Sequence, residues 1–311
     1  MNGSAVDGIF GDLNFGVKEK KKVSKSADAL NVLGLLSSAR KTEVYLPVLK
    51  VSVIMNPFVG AEDLYLQTLK VSGATYHRYI DELLFKHAEF IGINFESFED
   101  FLKNIPSVDK QVMMAGLLQA TFNELPEKLI KCPKCGQVDT YSFKPEHMIH
   151  ADSFAKYWDK DVEPSEYRLE NELVPGVKIF YGMPMEQDRL DVLQNITSSE
   201  MRDNLEKHKD VLSLVDFMAI YIKKMEITSA DGTIIELTDK KEDILPTIKN
   251  MPLDLQVKLI DDSTVDELTE FNPYYYLKLK CGVPSCNHEF KWDDISPEND
   301  FFRKALSLYN R

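Results

Sequence analysis

Lys131-Cys132-Pro133-Lys134-Cys135-Gly136 and Cys281-Gly282-Val283-Pro284-Ser285-Cys286-Asn287 are the stretches on which the reading of this chain turns. They contain every cysteine of the sequence, in two close pairs with none left over. The first pair has two residues between its members and the second has four, both within the spacing of about two to four usual for zinc ligands. Zinc takes thiolates at tetrahedral corners, each about 2.3 Å from the metal, and one tight turn suffices to offer two sulfurs. Gly136 follows the first pair and permits the positive φ such a turn needs. Asn287 holds the matching place after the second pair, and Asn tolerates that conformation better than most residues.

The flanks read as strands. Leu129-Ile130-Lys131 and Tyr276-Leu277-Lys278-Leu279-Lys280 lead in, and Thr140-Tyr141-Ser142-Phe143 and His288-Glu289-Phe290-Lys291-Trp292 lead out. Two facing hairpins of this kind form a zinc ribbon, here split by a domain-sized stretch between Cys135 and Cys281. The expectation is one structural zinc ion held by Cys132, Cys135, Cys281 and Cys286. The alternatives are four buried structural cysteines, or replacement of one thiolate by His147, His150 or His288. A catalytic zinc needs an open coordination position, which four thiolates leave no room for. A redox Cys-x-x-Cys calls for a βαβ setting that the pattern lacks.

The chain has 311 residues, 44% of them hydrophobic and 28% charged, with a formal charge of −13. That supports one large domain or two ordinary ones. So acidic a surface disfavours broad nucleic-acid binding. No apolar run reaches the roughly 20 residues of a membrane span. With no signal-peptide core in Met1 to Ser26, folding in a reducing cytoplasm is expected, where metal thiolates are favoured over disulfides.

Working outward, the fold class expected is α+β: a mainly helical body with short antiparallel strands and a split zinc ribbon. Residues 1–26, with Lys18-Glu19-Lys20-Lys21-Lys22, read as a flexible N-terminal arm. Residues 27–127 read as a strand plus helical domain: a helix over Asp28–Arg40, a strand over Glu43–Met55 with Pro47 at an edge or bulge, then helices over Ala61–Val71, Thr75–Phe90, Ser97–Lys103 and Ser107–Asn123, the last capped by Ser107. Residues 128–150 form the first half of the ribbon, with a short helix from Pro145 to Ala155. Residues 151–272 read as a helical insertion: strands over Tyr167–Leu173 and Val177–Tyr181, helices from Met185 to Ile222 with a break at Asn195–Ser199, a hairpin over Lys223–Leu237 with a two-residue turn at Asp231-Gly232, and helices over Asp239–Asn250, Pro252–Ile260 and Thr264–Phe271. Residues 273–311 form the second half of the ribbon and a closing helix over Pro297–Tyr309.

No catalytic residues emerge. The sequence has no Gly-x-Gly-x-x-Gly, Walker loop, Gly-x-Ser-x-Gly or His-Glu-x-x-His, and no small-molecule substrate is expected. The carboxylates Glu96, Glu99 and Asp100, Asp261 and Asp262, and Asp293 and Asp294 read as solvated loops or helix starts. Tyr274-Tyr275-Tyr276 reads as packing, with a nucleic-acid stacking role open because Lys278, Lys280 and Lys291 stand nearby.

One order of features remains: an early strand with Leu46-Pro47, a helical region, the late strand–Cys-x4-Cys–strand unit, and Asp300-Phe301-Phe302 near the end. In this order, spread over residues 43 to 311, the chain resembles the baseplate hub and baseplate assembly proteins of T-even-type contractile bacteriophages. Leu46-Pro47-Val48-Leu49-Lys50 stands where that family has Leu-Pro-Ser-x-Gly. The resemblance implies a non-enzymatic component of the virion tail baseplate, made in the host cytoplasm, that contacts other phage tail proteins while its zinc supplies rigidity. A zinc-ribbon adaptor in nucleic-acid handling or transcription is the alternative, since a ribbon serves many functions.

Overall fold

Pro47 has no N–H to continue a strand ladder, and it turns the chain instead of bulging it. In a computed structural model, which describes residues 40–58, 73–150, 168–194, 214–262, 264, 268, 275–298, 300 and 301, the single strand expected over Glu43–Met55 is a hairpin. Strands β1 (Thr42–Leu46) and β2 (Val51–Met55) pair antiparallel with Val44 opposite Val53, and Lys50 closes the turn at φ 56°. Helix α1 (Gly73–His87) ends before the expected Phe90, because β3 (Ala88–Phe90) joins the edge of β2 with Phe90 opposite Val53.

Ser97 caps α2 (Phe98–Asn104), its hydroxyl accepting from the amide of Asp100 at 3.1 Å. Helix α3 (Ser107–Thr121) has Pro106, not Ser107, at its N-cap. The reason is tertiary: the Ser107 amide donates to the Pro184 carbonyl at 2.9 Å, and the Glu186 amide donates to the Ile105 carbonyl at 3.1 Å. From inside α3, Asp109 clamps the Pro47 turn. Its two carboxylate oxygens accept from the amides of Val48 and Leu49 at 2.9 and 2.8 Å.

Helix α3 lies on the β1–β2 hairpin, and Gly116 sets how closely. A Cβ at Gly116 would sit 2.7 Å from Val44 Cγ1 and 2.9 Å from Met55 Cγ. Gly116→Leu should therefore destabilise by about 1–3 kcal/mol through overpacking. Gly116→Ala should cost less, because the helix gains about 1 kcal/mol of propensity against the overlap. Urea unfolding of both variants gives the order, and a Gly116→Leu protein as stable as the parent would refute the close contact.

Strands β4 (Lys128–Lys131) and β5 (Val138–Tyr141) form the first cysteine hairpin. The helix expected from Pro145 is a single 3-10 turn, Pro145–His147, followed by β6 (Ile149–His150). Strands β7 (Arg168–Val174) and β8 (Val177–Gly182), helices α4 (Glu186–Gln194) and α5 (Leu214–Tyr221), and strands β9 (Ile222–Thr228) and β10 (Ile234–Leu237) come next. The four strands build one antiparallel sheet in the order β10-β9-β8-β7. Its β9–β10 turn is longer than expected. Ser229 donates to the Thr233 carbonyl at 2.8 Å, which leaves Ala230, Asp231 and Gly232 in the loop, with Gly232 at φ 85°.

Asp239–Asn250 is not one regular helix. A π-turn over Lys240–Ile244 precedes α6 (Leu245–Lys249), since Pro246 cannot donate to an i−4 carbonyl. After α7 (Leu253–Ile260), strands β11 (Tyr275–Lys280) and β12 (Glu289–Trp292) form the second cysteine hairpin, with β6 on the other side of β11.

The fold is mixed α+β. One core gathers α1, α2 and α3 with the β1–β2 hairpin and β11, through residues such as Leu84, Phe101, Met113 and Leu277. A second lies under the four-stranded sheet, through Ile179, Tyr181, Met225 and Ile248. The expected arm, the helices at 28–39, 61–71 and 302–309, the break at 195–199 and most of 264–271 lie outside the described residues.

Candidate metal centre

The first cysteine hairpin turns as its sequence requires. Cys132 donates its amide to the Gln137 carbonyl at 2.8 Å, and the Gly136 amide returns to the Cys132 carbonyl at 3.0 Å, with Gly136 at φ 75°. In the second, the Cys281 amide reaches the His288 carbonyl at 2.9 Å and the Asn287 amide reaches Val283 at 3.0 Å, with Asn287 at φ 44°. Gly136 and Asn287 thus hold equivalent left-handed positions, which point each pair of sulfurs to one side.

The two hairpins bring their sulfurs together. All four Sγ atoms lie within 4.8 Å of one another. Cys132 Sγ is 3.9 Å from Cys286 Sγ, and Cys135 Sγ is 3.6 Å from Cys281 Sγ, across 146 positions of sequence. A tetrahedron with metal–sulfur bonds of about 2.3 Å has edges of about 3.8 Å. These separations fit that edge and are far beyond the roughly 2.05 Å of a disulfide; the four cysteines are free thiols. Cys132 and Cys281 are buried, Cys286 is half-buried and Cys135 is exposed.

The thiols do not behave alike. The amides of Cys135 and Lys134, with the sulfurs of Cys135 and Cys281, outweigh burial and hold Cys132 down to about 7. The Val283 amide favours the Cys281 thiolate, but burial and the neighbouring sulfurs push it up to about 12. Four thiolates this close repel one another, and a cation among them would allow all to ionise.

Two of the alternative histidine ligands make other contacts. His147 accepts the Lys144 amide at its Nδ1, 3.3 Å away. His288 stacks on Phe290 at 6.1 Å, and the His150 side chain lies outside the described set. Several of the carboxylates singled out in the sequence are tied into the fold. Glu99 pairs with Arg78, Asp100 accepts the Glu96 amide at 3.0 Å, and Asp262 accepts from Tyr181 at 2.7 Å and Asn171 at 2.8 Å.

Sequence reading missed a second polar centre. Lys110, 1% exposed, lies between Asp81 at 2.5 Å and Glu186 at 2.8 Å, both fully buried. Lys110 shares a helix face with Met113, Met114 and Leu117, and that lysine on an apolar face was the available signal.

No helix among the described residues is long and apolar enough to cross a membrane. No family model, curated protein or solved structure matches the chain.

Proposed function

We propose that Cys132, Cys135, Cys281 and Cys286 hold one structural zinc ion and close a split zinc ribbon, and that the chain is a structural or assembly component of a contractile phage tail baseplate, acting through protein–protein contacts. The observation that carries the metal is the sulfur tetrahedron drawn from hairpins 146 positions apart. An all-thiolate donor set is soft, which selects zinc over magnesium or calcium. Four ligands close the shell, so the metal supplies rigidity and takes no substrate.

The baseplate assignment rests on the resemblance in the order of features, and the local role of one shared motif supports it. In Asp300-Phe301, the carboxylate of Asp300 is 2.7 Å from Lys128 Nζ at the start of β4. Phe301, fully buried, packs edge-on to Phe58 at 5.3 Å and against Phe122 at 5.4 Å. The C-terminal motif thereby ties the ribbon to the first core.

Metal analysis of protein purified without added metal should find about one zinc per chain. In phage-infected cells, the tagged chain should co-sediment with baseplate intermediates, and loss of its gene should stop tail assembly. Zinc-free native protein overturns the ribbon, and normal tails without the gene overturn the assembly role.

One observation favours the adaptor reading. Lys278 stands directly opposite Lys291 on the exposed face of β11–β12, and the Lys291 ammonium lies over the Tyr276 ring at 4.7 Å. Salt-sensitive retention of single-stranded DNA in a low-salt filter assay would support that reading; no retention would dismiss it.

A further inference from the structure

Among the described residues, strand β10 is one edge of the four-stranded sheet, and beyond its short length and Glu236 it lacks the devices that protect an edge. It contains no lysine, proline or bulge, the features that discourage pairing with another chain. Ile234 and Ile235 are 59% and 49% exposed although they point to opposite faces. Lysine and arginine are absent from residues 229–239, which carry Asp231, Glu236 and Asp239.

The register shows what such an edge would take. The amide of Ser229 bonds to the Thr233 carbonyl. Alternation along an antiparallel ladder then turns the N–H and C=O of Ile235 inward to Ile227, and those of Ile234 and Glu236 outward to the open edge. On one face, Val177, Ile227 and Ile235 form an apolar row across three strands, continuing the buried Ile179–Met225 row beyond the core. On the other face, Lys178, Glu226 and Glu236 form the next row. There two carboxylates stand directly opposite one another, an unfavourable pairing. Among the described residues only Lys224 reaches both, at 2.6 Å from Glu226 and 3.6 Å from Glu236.

We propose that β10 is a docking edge for an extended, basic segment of a partner protein, which adds a fifth strand to the sheet. An apolar side chain opposite Ile235 would prolong the apolar row. A lysine or arginine opposite Glu236 would complete the charge row, and the outward groups of Ile234 and Glu236 would supply main-chain hydrogen bonds. This is strand addition, in which the backbone gives affinity and alternate side chains give specificity. It deepens the assembly reading by naming a contact surface, and it does not involve the cysteines.

The test uses the full chain and a synthetic peptide of about ten residues alternating Val and Lys, with a Val–Glu peptide as control. Amide exchange read by mass spectrometry should show residues 230–239 protected about tenfold more with the Val–Lys peptide and unchanged with the Val–Glu peptide. Glu236→Lys should reverse the preference, with circular dichroism confirming that the variant is folded. Protection by neither peptide, or by both equally, overturns the proposal. So does protection that grows with protein concentration alone, which would make a second copy of this chain the occupant. Zinc content and baseplate co-sedimentation are measured separately, so failure here leaves those results standing, and the reverse.

Discussion

Cys281→Ser should empty the metal centre and release both cysteine hairpins together. Structural zinc sites contribute on the order of 10 kcal/mol to folding, comparable to the whole stability of an ordinary domain, about 5–15 kcal/mol. The sulfurs aside, the hydrogen bonds between the two hairpins among the described residues are Tyr141 Oη to the Lys280 carbonyl at 3.1 Å and the Gly282 amide to Asp139 at 3.3 Å. A two-stranded hairpin is marginal alone, and β4–β5 is one. Its base is held by the Lys128 ammonium over the Trp292 ring at 4.8 Å and by buried Ile130. The expected result is loss of the zinc, fast amide exchange over 128–141 and 275–292, and a Tm lower by about 10 °C or more. Chelation of the parent should reproduce all three. The sign with pH follows from the donors. Metal-bound thiolates have depressed pKa values, so the metal's stabilisation is present at neutral pH and lost on acidification. A Cys281→Ser protein with unchanged Tm and full zinc would refute the centre.

The cysteine centre was legible because its information is local. Two pairs, their spacings and the Gly136 and Asn287 positions lie within a few residues of each turn, and so do the flanking strands. The cap at Ser97 and the strands β7 and β8 were legible for the same reason. The rest depended on groups distant in sequence. Pro184 satisfies the Ser107 amide and so moves the cap of α3 to Pro106. Pairing with Val53 pulls Phe90 out of a helix and into a strand. The register that joins β8 to β9 exists only after folding. Nothing in the sequence near Asp109 announced that its carboxylate would hold the turn at Val48 and Leu49.

Lys110→Met should destabilise the protein by about 3–5 kcal/mol, far more than its lost packing, because it strands two buried carboxylates. Lys110 lies between Asp81 on α1 and Glu186 on α4, so one ammonium ties three helices. Burial opposes ionisation of Glu186, yet Lys110 and Arg189 outweigh it and hold that carboxyl below its ordinary range. For Asp81, burial wins over Lys110 and lifts it to about 7. Without Lys110, Asp81 loses its nearest counter-charge and Glu186 keeps only Arg189 at 3.6 Å, so both folded pKa values rise and both carboxyls take up protons above the unfolded values of about 4. The folded variant then binds more protons than its unfolded state between about pH 4 and 7, so its stability deficit shrinks as pH falls through that window. Urea unfolding of parent and variant at pH 7.5 and 5 reads the slope directly. Adding Asp81→Asn and Glu186→Gln to Lys110→Met should recover at least about half of the loss, since a buried charge cluster is more costly broken than removed whole. A Lys110→Met deficit that is equal at both pH values, or that the triple variant deepens, would show that the lysine acts through its methylene packing and not through its charge.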